Sequence, residues 1–218
     1  MKQKLFVLGA LGILLVLLSE AYQVVGSVVS SPIVAALLLN SLLAACFLVY
    51  NRPPIPSLFN FCSEFVESRW IYFGIGIYFL CLCLVPMFSS AFGSIPDRVF
   101  ETPHFFVTII LVPIVEEVVF RLAIGGWIRA MWEGLGGYYL SALFFGTIHA
   151  TPTIGRIVEG QVGVVLGPFL LALICEWLYY KTKSLLAPIL FHGMCNGSVL
   201  IFMYTDPRWL DWLSFLYI

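Results

Sequence analysis

The chain has 218 residues, of which 61% are hydrophobic and only 11% are charged, and its mean hydropathy is +1.01. A soluble domain is nearer half apolar and a quarter charged, so this composition indicates an integral membrane protein that crosses a lipid bilayer several times. With so few charged residues, the formal net charge of -1 says nothing about partners, and no basic cluster resembles a nucleic-acid-binding footprint.

Seven apolar runs are predicted to cross the membrane, because each is near the ~20 residues that span the hydrocarbon core. Their pattern does not alternate as barrel strands do, so the predicted fold is all-α: one domain over residues 1–218, a bundle of about seven (six to eight) transmembrane helices. The apolar tail Trp209–Ile218 is too short to cross. In chain order the seven runs are Leu5–Ser19, Ser31–Tyr50, Trp70–Phe92, Phe105–Trp127, Leu135–Ala150, Gly163–Tyr180 and Leu185–Tyr204.

The distribution of basic residues predicts a cytoplasmic N-terminus, in the cell membrane if the host is bacterial. Positively charged residues collect on the cytoplasmic side of membrane proteins. With the N-terminus inside, that side holds Lys2, Lys4, Arg52, Arg69, Arg129, Lys181 and Lys183, against Arg98, Arg156 and Arg208 outside. Ser19-Glu20-Ala21 resembles a signal-peptide cleavage site, but a retained first span is favoured because several further spans follow.

The fourth run contains two adjacent carboxylates, Glu116 and Glu117, and one guanidinium, Arg121. A charge at bilayer depth costs at least ~2.5 kcal/mol, so each needs a partner or a task. Glu117 and Arg121 are four residues apart in the order that favours a helical ion pair. Glu116 lies about 100° round the helix and is left free for other chemistry. Pro113 is expected to open the hydrogen-bond ladder nearby.

Two histidine motifs and one more acid follow. His149 ends Phe145-x-x-x-His149 in the fifth run, and His192-x-x-x-Asn196 places both side chains on one helix face in the seventh. Glu176, near the end of the sixth run, is expected to snorkel towards the headgroups. His149 is expected about 10 Å from Glu116 in depth, because Glu116 lies midway along its run and His149 at the end of another.

These groups suit hydrolysis inside the bundle. A carboxylate withdrawn from water can take a proton from a water molecule, which assigns Glu116 as the base. His149 would position that water, and His192 with Asn196 would donate hydrogen bonds to the developing oxyanion.

Three other interpretations stay open. Glu116, His149 and His192 could bind a catalytic zinc, although no HExxH helix is present. Cys195 or Ser198 could act as a nucleophile, although Cys195 is expected to point away from the His192/Asn196 face and neither has an evident base. The same groups could also belong to a proton-relay transporter.

The three motifs, in this order on successive apolar runs, resemble the CPBP family of type II CAAX prenyl endopeptidases and bacteriocin-processing or self-immunity proteins, also called Abi. The resemblance covers residues 105–204 and implies an intramembrane endopeptidase. It implies that Glu116 is the base, that His149, His192 and Asn196 complete the site, and that no metal is required. Glu117, Arg121 and Phe145 would support the site. The substrate would be a membrane-associated prenylated (CAAX-like) or leader peptide, and a non-catalytic immunity or scaffold protein of the same fold is the alternative.

Overall fold

The computed structural model describes residues 2–29, 32–51, 104–132, 134–150 and 163–205, together with positions 73, 74, 76, 77, 80 and 159. The regular structure in this part of the chain is helical throughout, which confirms the all-α prediction there. The third apolar run falls almost wholly, and the tail Trp209–Ile218 wholly, outside the described residues. Six helices follow in chain order: α1 (Lys2–Val29), α2 (Pro32–Asn51), α3 (residues 104–131), α4 (Leu135–His149), α5 (Leu166–Thr182) and α6 (Leu186–Thr205).

Helix α1 is longer than predicted. The expected end at Ser19 is wrong, since the helix continues to Val29 over 28 residues. Beyond Ser19 the helix contacts α2: the Tyr22 hydroxyl donates a 2.6 Å hydrogen bond to the Asn40 side-chain oxygen. Among the described helices, α1 alone has a stretch, Lys4–Val29, long and apolar enough to cross a bilayer; the apolar stretches Val34–Val49 and Leu186–Leu200 are shorter.

Helix α3 changes its winding along its length. The α-helical turn that carries Glu116 and Glu117 lies between two π-helical segments, whose hydrogen bonds span five residues instead of four. Such segments are rare and are found frequently at functional sites. The successive segments are His104–Phe106 (α), Val107–Leu111 (π), Val112–Glu117 (α), Val118–Ile124 (π) and Gly125–Met131 (α).

Helices α4 and α5 pack closely because Gly146 has no side chain. A Cβ atom at Gly146 would lie 2.8 Å from Phe169 Cβ and 2.8 Å from Val164 Cγ1. The Gly146 carbonyl also accepts a hydrogen bond from the backbone N–H of Val165, which ties the extended residues before α5 to α4. This close approach fixes the last turn of α4, which carries His149.

We expect Gly146→Ala to destabilise the protein by about 1–3 kcal/mol, the usual cost of forcing extra volume into a packed interior. Gly12→Ala is the matched control, because a Cβ at Gly12 of α1 has no atom within 4 Å. Thermal unfolding of the purified variants in detergent measures both effects. Equal unfolding temperatures for the two variants would contradict this account of the packing.

Candidate active site

Glu117 connects α3 to α6 from a fully buried position. One of its carboxylate oxygens, Oε2, lies 3.0 Å from Nε of Arg121, which confirms the predicted ion pair. The other, Oε1, lies 2.9 Å from Nδ1 of His192. The sequence did not predict this second contact. It makes Glu117 the residue that orients the His192 ring, because the nitrogen facing a carboxylate carries a hydrogen.

Glu176 does not snorkel. It is 1% exposed, and Oε2 lies 2.6 Å from Nη1 of Arg129. Its other oxygen accepts a hydrogen bond from the Ser141 hydroxyl and lies 3.8 Å from Nη1 of Arg121. The snorkelling prediction was wrong because two guanidiniums lie within the bundle. Arg129 was assigned to a loop beyond Trp127, whereas α3 continues to Met131.

Together these contacts form an alternating chain of charged and ionisable side chains through α3, α5 and α6. It runs Glu116, His192, Glu117, Arg121, Glu176, Arg129. At the Arg129 end, Nη2 of Arg129 also donates a 2.7 Å hydrogen bond to the Arg121 backbone carbonyl. This group of side chains contains two guanidiniums and three carboxylates, so its net charge is zero when the His192 imidazole is protonated. Neutrality is what an interior of low polarity favours.

Glu116 is the carboxylate that the arginines leave free. Its Oε2 lies 3.7 Å from Nε2 of His192, and the residue is 8% exposed. It lines a cavity of about 390 Å³ between α1, α2, α3 and α4, which we call the α1–α2 cavity. His149 lines the same cavity. Glu116 therefore faces open space, as a base that must reach water requires.

His149 and Glu116 line one cavity, although the sequence predicted about 10 Å between them in depth. About four helical turns lie between Glu116 and the end of α3. The chain then reverses, and about four turns of α4 lie between Leu135 and His149. The prediction ended α3 too early and so misplaced the turn between the helices. Nδ1 of His149 lies 2.8 Å from the Phe145 carbonyl. Since a carbonyl only accepts, Nδ1 carries the hydrogen and Nε2 keeps a lone pair when the ring is neutral.

Asn196 is anchored to α3 through a carbonyl that Pro113 leaves unpaired. In the five-residue spacing of the π-helical segment, the N–H of residue 113 would bond to the Thr108 carbonyl, but proline has no N–H. The side-chain amide of Asn196 donates to that carbonyl at 3.1 Å instead. One N–H of the amide is thereby fixed, and the amide carries a second that can donate elsewhere.

His192 and Asn196 line a second cavity of about 390 Å³ between α3, α5 and α6, which we call the α5–α6 cavity. Cys195 lines it too. The Ser198 hydroxyl donates to the Met194 carbonyl of its own helix. His149 lines both cavities, so Glu116 faces one, His192 and Asn196 face the other, and His149 marks their junction.

Phe145 is the buried centre of the site. Its ring centroid lies 4.4 Å from that of His149 and 6.1 Å from that of His192. The Arg121 guanidinium lies over the ring, with its carbon 5.3 Å from the centroid. One aromatic side chain thus holds both imidazoles and the central cation in place.

The zinc interpretation required Glu116, His149 and His192 to converge on one point. Among the described residues, no three His, Cys, Asp or Glu side chains form a group that could hold a metal ion. Glu116, His149 and His192 do not form such a group in this structure.

The sequence interpretation missed four polar residues on the far wall of the α1–α2 cavity: Ser19, Tyr22 and Gln23 of α1, and Asn40 of α2. An amide inside the apolar run Ser31–Tyr50 was a signal, because polar side chains at that depth need partners. The spacing of residues along α2 could not show which other helix supplied the partner of Asn40.

The comparisons with known proteins concern the C-terminal part of the chain. The family model described as type II CAAX prenyl endopeptidase Rce1-like matches residues 98–198, a segment that contains all four predicted catalytic residues. No curated protein and no solved structure matches the chain.

Proposed function

We propose that the chain, whose residues 98–198 match the type II CAAX prenyl endopeptidase family model, cleaves a peptide bond with a water molecule activated by Glu116, without a metal. The observation that carries this proposal is the position of Glu116. It lines an open cavity with His149 and faces Nε2 of His192 at 3.7 Å, while Arg121 is paired with Glu117 and Glu176.

In the first step, water donates one hydrogen to the Glu116 carboxylate and the other to Nε2 of His149. Glu116 removes a proton from the water while the water oxygen forms a bond to the carbonyl carbon of the scissile peptide bond. The imidazole can accept because its Nδ1 is committed to the Phe145 carbonyl. Holding the water between two fixed acceptors leaves an oxygen lone pair for the attack.

The carbonyl oxygen becomes an oxyanion between His192 and Asn196. Asn196 offers the amide N–H that Thr108 does not use, and His192 offers Nε2. Nε2 donates when the ring is an imidazolium, and the carboxylates of Glu116 and Glu117 lie on either side of that ring. The base and this donor must be neighbours, since the attacking oxygen and the oxyanion are bonded to one carbon. The 3.7 Å separation meets that requirement.

Collapse of the tetrahedral intermediate breaks the carbon–nitrogen bond. Glu116, now protonated, returns the proton to the leaving amine, so the products are a carboxylic acid and an amine, and Glu116 is again a carboxylate. Glu117 and Arg121 take no part in the proton transfers. They hold the His192 ring in position against the α3 turn that carries Glu116.

The setting of this chemistry is a lipid bilayer crossed several times by the chain, with a cytoplasmic N-terminus. The composition and the basic residues support that topology. The substrate is a membrane-associated peptide or protein, either a prenylated C-terminal CAAX-like sequence or a leader peptide.

The proposal is tested by reconstituting the protein in liposomes with three probes: a farnesylated CAAX peptide, the same peptide without the lipid, and a membrane-anchored leader peptide. We expect cleavage of at least one probe, unchanged by a metal chelator. Asn196→Leu should lower kcat by about 10²–10³-fold, the cost of losing one oxyanion donor. Ser198→Ala is the matched control, since that hydroxyl bonds within its own helix.

Failure to cleave any probe would favour the non-catalytic scaffold or immunity protein. Activity lost with chelator and restored by zinc would favour the metalloprotease. Equal kcat values for Asn196→Leu and the parent would remove Asn196 from the mechanism.

A further inference from the structure

The α1–α2 cavity has a second polar wall, opposite Glu116 and His149, which the family match at residues 98–198 does not cover. This wall carries Ser19, Tyr22, Gln23 and Asn40, whereas most of the remaining surface is apolar. Ser19 and Tyr22 are three residues apart on α1 and therefore share one face of the helix.

The bond between Tyr22 and Asn40 fixes the direction of the phenol. The Tyr22 hydroxyl gives its hydrogen to the Asn40 oxygen at 2.6 Å, so its remaining capacity is to accept. The Glu116 carboxylate lines the same cavity. Two acceptors, the phenol oxygen and the carboxylate, thus face one another across the cavity.

Ser19 supplies a donor. Its hydroxyl is buried, the residue being 2% exposed, and it has no hydrogen-bond partner in the part of the chain that the structure describes. A buried hydroxyl without a partner is costly. A buried water typically makes about three hydrogen bonds to otherwise unsatisfied polar groups. Tyr22 and Glu116 are acceptors in the wall of this cavity to which water can donate, and the unpartnered Ser19 hydroxyl belongs to the same wall.

We infer that the α1–α2 cavity is the water store of the active site: Ser19 and Tyr22 hold a water behind Glu116 that replaces the molecule consumed in each hydrolysis. The inference rests on the proposed function. The substrate then occupies the α5–α6 cavity, where the oxyanion donors lie, and approaches the stored water at His149. Ser19, Tyr22 and Asn40 are positioning residues, because they act through water.

Filling the cavity tests this arrangement. A Cβ at Gly26, which lines the cavity, meets no atom within 4 Å, so Gly26→Leu projects into the cavity without a backbone clash. Gly12→Leu is the matched control on α1, since Gly12 is equally unobstructed and lies outside the cavity. On the probe that the parent cleaves, we expect Gly26→Leu to lower kcat by up to about 10²-fold, the cost of misplacing a reacting group, and to leave KM unchanged.

A higher KM with unchanged kcat would overturn the inference, because the cavity would then bind substrate. Equal kinetics for Gly26→Leu and Gly12→Leu would also overturn it. Tyr22→Phe refines the test: losing the phenol oxygen should lower kcat, whereas Tyr139→Phe, on the exposed side of α4, should not.

A second measurement does not depend on cleavage. Radiolytic hydroxyl-radical labelling marks side chains next to bound water, and we expect Tyr22 to be labelled in the parent and protected in Gly26→Leu. If no probe is cleaved, the proposed function fails, and the labelling alone decides whether the cavity stores water. Absence of Tyr22 labelling in the parent would overturn the inference.

Discussion

Replacing Glu116 by glutamine should lower kcat by about 10²–10⁴-fold, the range that a general base contributes. Glutamine keeps the shape of the side chain but cannot take a proton. The fold should remain intact, because the α1–α2 cavity accommodates the side chain and Arg121 is paired with other carboxylates. Initial rates on the cleaved probe and thermal unfolding in detergent measure the two effects separately.

Glu159→Gln is the matched control for this experiment. It makes the same chemical change at an exposed carboxylate in the chain between α4 and α5, so its rate should equal that of the parent. A Glu116→Gln variant as active as the parent would rule out Glu116 as the base. A Glu116→Gln variant that unfolded much earlier would show that its carboxylate stabilises the fold.

Replacing Arg121 by methionine should destabilise the protein by about 3–5 kcal/mol, the usual cost of removing one partner from a buried ion pair. Arg121 is fully buried and lies against the carboxylates of both Glu117 and Glu176. Methionine fills a similar volume without a charge. The loss of stability therefore measures the cost of leaving the carboxylates unpaired. Arg121→Lys should recover only part of it, because an ammonium is a compact charge and cannot reproduce the guanidinium fork.

Lys181→Met is the matched control for Arg121→Met, since Lys181 is exposed on α5 and its removal should change the unfolding temperature little. A double-mutant cycle sharpens the test: Glu117→Gln combined with Arg121→Met should cost less than the sum of the single changes. Strict additivity would show that the two residues do not stabilise one another.

The sequence predicted most of the helices and the helical ion pair. Apolar runs mark helices in bilayer proteins, and the four-residue spacing of Glu117 and Arg121 defines a contact within one helix. The contacts between helices did not follow from spacing. Glu117 bonds to His192, 75 residues away, and Glu176 bonds to Arg129 across helices.

The winding of α3 also escaped prediction. The π-helical segments of α3 produce no periodic signal in so uniformly apolar a sequence, because every face carries hydrophobic side chains. Pro113 showed where the ladder would open, but not which side chain would use the freed carbonyl. A π-helical turn contains more residues than an α-helical turn, so side chains after such a turn no longer follow the 100° step of an α-helix. The directions of side chains along α3 could therefore not be calculated from the sequence, and the partners of Glu116 and Glu117 could not be assigned from that step.

The bond between Asn196 and the Thr108 carbonyl bears on when activity arises during biosynthesis. Ribosomes make α3 well before α6, so Glu116 is synthesised before Asn196. Under the proposed function, the oxyanion donor is placed when α6 docks, because the Asn196 side chain is anchored to the α3 backbone. A nascent chain that lacks α6 would then carry the base without this donor and would be inactive.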